Sequence, residues 1–147
     1  MITGIDHVHV TAVDMDKSIA FYTEVLGFHF LRRVEHGPAD ARRELAYVGL
    51  GNILIEFLPP APGVDVIGTA TRPLALTVTD LEGALADLTA KGVEVTMPLR
   101  AGFSYYGLAA AIKDPSGLTI ELREWSNGDG PQFPDWQPER EDVVRTA

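Results

Sequence analysis

The chain contains no cysteine, so it can build neither a disulfide framework nor a thiolate metal site. Basic residues are scarce beside acidic ones: 12 Lys and Arg against 21 Asp and Glu give a formal net charge of −9. A nucleic-acid partner needs a clustered positive surface. The two short basic pairs, Arg32-Arg33 and Arg42-Arg43, stand next to acidic residues and read as solvated strand edges. Long apolar runs are missing too, and no stretch approaches the roughly 18 residues of a membrane span. The opening MITGIDHVHV lacks the basic segment and apolar run of a secretion signal. The sequence therefore predicts a cytoplasmic protein with no nucleic-acid and no membrane partner. What is present suffices for a packed core: 147 residues, 46% of them hydrophobic.

Along the chain, Ile2 to Val13 alternates and is rich in β-branched residues, which predicts a strand, and Asp14 and Asp16 then offer helix N-caps. Ile19, Tyr22 and Leu26 fall at helical spacing within 15–26, with Gly27 as the stop. Strands are predicted over 28–34, 44–48 and 53–58, separated by His36-Gly37-Pro38 and by 49–52. After the stiff connector Pro59-Pro60-Ala61-Pro62-Gly63 the pattern restarts. A strand over 74–78 is followed by a helix capped by Asp80 that carries Leu81, Leu85 and Leu88 and ends at Gly92. Further strands are expected over 93–98, 108–113 and 118–123, the last after the turn Asp114-Pro115-Ser116-Gly117.

The element order is βαβββ twice, and a duplication should leave equivalent positions at a nearly constant separation. Asp14 and Asp80 lie 66 apart, as do Ile19 and Leu85, while Gly27 and Gly92 lie 65 apart, as do Glu56 and Glu121. The fold class is α+β, made of two tandem βαβββ modules. Module 1 covers about 1–60 and module 2 about 70–124, followed by a tail over 125–147 that is partly packed and partly disordered.

Side chains alternate along a strand, so Ile5, His7 and His9 share one face of the first strand. Leu54, Glu56 and Leu58 share a face of the fourth, and Thr119, Glu121 and Arg123 a face of the last. Two glutamates at duplicated positions within apolar strands require a partner or a metal, because a buried lone carboxylate is expensive. Histidine with carboxylates suits a divalent first-row ion such as Zn, Ni, Mn, Co or Fe(II). The plainer alternative is that one glutamate pairs with Arg123 and that His7 is a hydrogen-bonded structural residue.

The string IDHVHVTAVDMDKSIAFYTEVLGF resembles the first strand and helix of glyoxalase I and methylmalonyl-CoA epimerase. DPSGLTIELRE resembles the last turn and strand of the same vicinal-oxygen-chelate superfamily, which includes bleomycin-resistance proteins and extradiol dioxygenases. The resemblance covers residues 3–124 and implies a curved mixed sheet around one small-molecule cavity. It places metal ligands at His7, Glu56 and Glu121. The remaining position of a four-ligand set falls on Pro73, which has no side-chain donor. His9 is then a compensating group or an acid/base, and Glu121 and Glu56 are the proton-transfer candidates. The implied activity is that of a metal-dependent lyase, isomerase or epimerase working next to a carbonyl of a small oxygenated metabolite. The alternative is a metal-free small-molecule-binding protein of the bleomycin-resistance type, with Phe103, Tyr105 and Tyr106 able to stack on a ligand. A homodimer is expected, with Trp125, Phe133 and Trp136 as contact candidates.

Overall fold

The computed structural model describes residues 4–63, 74–101 and 107–125. Pro73, the loop aromatics Phe103, Tyr105 and Tyr106, and the tail with Phe133 and Trp136 lie outside these. The described residues fall into two compact units. The first comprises the chain up to residue 63 together with the Asp114–Leu118 turn, and the second comprises the rest.

In the first unit, β1 (Val8–Thr11), β2 (His29–His36), β3 (Arg43–Leu50) and β4 (Ile53–Leu58) form a sheet in the order β1-β4-β3-β2. The β1-β4 pair is parallel and the others antiparallel. Between β1 and β2 runs α1 (Met15–Ala20), opened by Asp14, whose carboxylate accepts the Lys17 N–H at 3.1 Å. The predicted single helix over 15–26 instead ends in a π-helical turn, Phe21–Val25. The Thr23 hydroxyl donates to the Ile19 carbonyl at 2.8 Å and competes for an acceptor of the regular ladder, while the Leu26 N–H reaches five residues back to Phe21. Gly27, at φ +79, supplies the left-handed residue that ends the element.

One sheet face packs beneath this helix. Val10, Ala46, Val48, Ile55 and Phe57 are buried, and Tyr22 stands edge-on to Phe57 and Phe28 with ring centroids 4.9 and 5.5 Å away. Each of the larger side chains among these contributes about 1.5–3 kcal/mol by leaving water. The Asp114–Leu118 turn completes the unit. Ser116 Oγ accepts the Val13 N–H at 3.0 Å, and buried Asp114 accepts the Tyr22 hydroxyl at 3.4 Å.

The second unit repeats the scheme with β5 (Leu74–Thr77), α2 (Leu81–Ala90), β6 (Val95–Ala101), β7 (Gly107–Lys113) and β8 (Thr119–Trp125), the sheet order being β5-β8-β7-β6. Asp80 caps α2 by accepting the Gly83 N–H at 2.9 Å, and Glu124 accepts the Leu81 N–H at 2.7 Å. Trp125 corrects an expectation. It is the last residue of β8, 7% exposed, and clusters with Met97, Ala109 and Ala111. The small side chains across β7 leave room for the indole, so Trp125 is core rather than a subunit contact.

Candidate functional site

β4 turns Ile55 and Phe57 into the core, so alternation sends Leu54, Glu56 and Leu58 to the opposite face. Register then fixes their neighbours. Glu56 lies beside His9 of β1 on one side and Tyr47 of β3 on the other, and Tyr47 lies beside Arg32 of β2. A polar row, Arg32-Tyr47-Glu56-His9, therefore crosses the sheet on the face away from the helix. His7 stands just before β1 and reaches the same carboxylate.

His7 Nε2 is 3.3 Å from Glu56 Oε2, and His7 Nδ1 is 2.8 Å from Asp6 Oδ2. The Tyr47 hydroxyl donates to Glu56 Oε1. The glutamate side chain is 15% exposed and the histidine 34%. The Asp6 carboxylate, with help from Glu56, raises the His7 imidazole above its ordinary pKa. Glu56 likewise pushes the Tyr47 hydroxyl up, because the neutral phenol is the form that donates the bond.

Arg32 and Tyr47, with Leu31 and Leu54, line a depression of about 280 Å³ on this face. Its wall depends on a β-bulge in β2 between Phe30 and Arg32. The extra residue, Leu31, lies over Gly49, where its Cδ1 would stand 3.1 Å from a Cβ at that glycine. The depression is thus apolar on two sides and carries one cation.

In the second unit Glu121 occupies the duplicated position, between register partners Ala75 and Ala111. Arg123 Nε donates to its Oε1 at 3.1 Å, and the side chain is 16% exposed. The plainer alternative raised for the sequence, a glutamate paired with Arg123, therefore describes Glu121. Among the described residues no three His, Cys, Asp or Glu side chains gather around one point. Of the proposed ligands, the structure brings His7 and Glu56 together and sets His9 in register beside them.

Tyr47 and Asp6 escaped the sequence reading. Tyr47 had a signal: Leu50 faces Ile53 across the two-residue turn Gly51-Asn52, and counting outward from that pair places Tyr47 opposite Glu56. Asp6 had none beyond adjacency to His7.

Comparison with known proteins gives a family for this fold. The family described as the Glyoxalase/Bleomycin resistance protein/Dioxygenase superfamily matches residues 4–122. The chain is 34% identical over 124 residues to a probable lactoylglutathione lyase of Vibrio parahaemolyticus, spanning 79% of this chain and 86% of the relative. It is 35% identical over 126 residues to the lactoylglutathione lyase of Escherichia coli O157:H7, spanning 80% and 90%. The crystal structure of the glyoxalase family protein from Enterococcus faecalis superimposes with a TM-score of 0.64 at 28% identity, covering 82% of this chain and 97% of that one. No helix among the described residues is long and apolar enough to cross a membrane.

Proposed function

The chain belongs to the glyoxalase/bleomycin resistance protein/dioxygenase superfamily, and on that premise we propose that it is a cytoplasmic, divalent-metal-dependent lyase of the glyoxalase type. It moves a proton on the carbon next to a carbonyl of a small oxygenated metabolite. The first reaction to test is the one its relatives are named for, that of a lactoylglutathione lyase.

The His7-Glu56 pair carries the reading. Two donors held about 2.0–2.2 Å from a shared first-row cation, at angles from square to tetrahedral, stand about 3.0–3.4 Å apart. Nε2 and Oε2 stand 3.3 Å apart. With Nδ1–H donating to Asp6, Nε2 is the nitrogen that faces Glu56 and can bind an ion in exchange for its proton, the arrangement in which a carboxylate orients a metal-binding imidazole. The residues present thus fit a divalent ion, and the donor set suits Zn, Ni, Mn, Co or Fe(II). By the sequence resemblance Glu121 supplies the third ligand, and Pro73, which has no side-chain donor, supplies none.

When bound, the ion supplies electrostatic stabilisation to the negative charge that develops on the substrate oxygen. The chain's own residues do the rest. Glu56, engaged through both oxygens, is a fixed ligand. Glu121, held at Oε1 by Arg123, carries the proton between carbons, and His9 stands beside Glu56 as a further acid or base. The depression beside Glu56 receives the remote part of the substrate, apolar against Leu31 and Leu54 and anionic toward Arg32. Homodimerisation is part of the reading, and sedimentation as a monomer at micromolar concentration would remove that part.

Elemental analysis of the purified protein, before and after incubation with Zn, Ni, Mn, Co and Fe(II), tests the proposal. About one ion per chain is expected, lost in His7→Ala. No bound metal under any condition would overturn it in favour of a metal-free small-molecule-binding protein.

A further inference from the structure

Glu56 and Glu121 sit at duplicated positions, yet their surroundings have diverged. Glu121 is held by a cation on its own strand, Arg123, and its neighbour on the adjacent antiparallel strand is Ala111. At Glu56 the matching neighbour is Tyr47, whose hydroxyl donates to Oε1, and the residue two further along the strand is Leu58. One module restrains its carboxylate with a charge, the other with a neutral donor from across the sheet.

We infer that Tyr47 is a positioning residue for metal binding: by holding Oε1 of Glu56, it turns Oε2 toward His7 Nε2 and fixes Glu56 as a single-oxygen ligand. The inference rests on the metal reading proposed above. The terminal torsion of a glutamate is soft and nearly two-fold, so a carboxylate anchored at neither oxygen swings between one- and two-oxygen presentation. With Tyr47 on Oε1 and His7 beside Oε2, rotation breaks a contact at each end. A neutral donor also leaves the carboxylate its full charge for a cation. Asp6 restrains His7 on its far side. Both partners of the pair are therefore held from behind, leaving the facing atoms Nε2 and Oε2 pointed at each other.

The experiment titrates metal-free protein with Co(II) in competition with a chromophoric chelator, following both affinity and the visible absorption of the bound ion. Tyr47→Phe removes one oxygen and keeps the ring, and thermal melting of the metal-free variant confirms that it is folded. Co(II) affinity is expected to fall about 10–100-fold, as for loss of other groups that orient a ligand, with an altered absorption envelope. Because Tyr47 acts through the Glu56 carboxylate, Tyr47→Phe should add little to the loss already caused by Glu56→Gln. Unchanged affinity and spectrum in Tyr47→Phe overturn the inference and leave the metal reading standing. An equal loss with and without the Glu56 carboxylate overturns it as well. A wild-type protein that takes up no Co(II) overturns both.

Discussion

Replacing Asp114 with alanine removes an acceptor from three groups at once. Its Oδ1 accepts the backbone N–H groups of Ser116 and Leu118 at 2.9 and 2.8 Å, and its Oδ2 accepts the Tyr22 hydroxyl at 3.4 Å, all at a side chain that is 4% exposed. Each buried donor left without a partner costs about 1–3 kcal/mol. Discounting the long Tyr22 bond, the two backbone donors make the expected loss for Asp114→Ala on the order of 2–6 kcal/mol, a large share of the roughly 5–15 kcal/mol that holds a typical domain together. Asp114→Asn keeps an oxygen for both backbone donors and turns an amide N–H toward the phenol oxygen, so it should lose no more than about 1 kcal/mol. The two variants also differ from wild type in pH dependence. Burial raises the Asp114 carboxyl above the ordinary carboxylate range despite the opposing pull of its N–H donors. A folded-state pKa above the unfolded one stabilises fully below the unfolded pKa, and that contribution disappears as pH rises through the folded pKa. Wild type should therefore lose ground to Asp114→Asn as pH climbs from about 4 toward neutrality. Urea denaturation followed by tryptophan fluorescence across that range measures both effects. An Asp114→Ala protein within about 0.5 kcal/mol of wild type would refute the reasoning, as would a gap between wild type and Asp114→Asn that ignores pH.

Two other substitutions probe the remaining elements. Glu121→Gln keeps an acceptor for Arg123 but loses the base, so lyase turnover should vanish and metal affinity weaken; a metal-free binding protein would lose little by either measure. Gly83→Ala ought to strengthen α2 by roughly 1 kcal/mol on helix propensity alone. Here the new Cβ would lie 2.3 Å from Asp80 Oδ2 and dislodge the cap. Thermal melting should show no gain in the wild-type background and a gain once Asp80→Ala has already removed the cap.

Much of the architecture was legible because local chemistry and the duplication pointed the same way. Asp14 and Asp80 were readable as caps, and both accept the N–H three residues on. The alternation of Leu54, Glu56 and Leu58 against Ile55 and Phe57 assigned the faces of β4 correctly. What escaped depends on contacts distant in sequence or on one side chain's competition with the backbone. Asp114 read as a turn former, and nothing local tells that it reaches Tyr22, more than ninety residues earlier. The π-helical turn coincides with the Thr23 hydroxyl on the Ile19 carbonyl, a contact the periodicity of the sequence does not announce. Trp125 read as the start of a polar tail because the space it fills is made by Ala109 and Ala111 on another strand. At the candidate site, histidine and glutamate stood out as types, but their restraint by Tyr47 and Asp6 became visible only with register and rotamer in place.

The parallel pairing of β1 with β4 also has a kinetic consequence. Val8 and Ile55 are neighbours in space while roughly fifty residues separate them along the chain. The β2-β3 and β3-β4 hairpins close over short loops, but β1 has no seat until β4 is in place, and closing so long a loop is an entropic barrier. The strand that comes first in the chain order of this sheet is thus the last to join it. His7 arrives with it, so the nitrogen and the carboxylate meet only once the long loop has closed, and an ion that needs both cannot bind before the β1-β4 pair has formed.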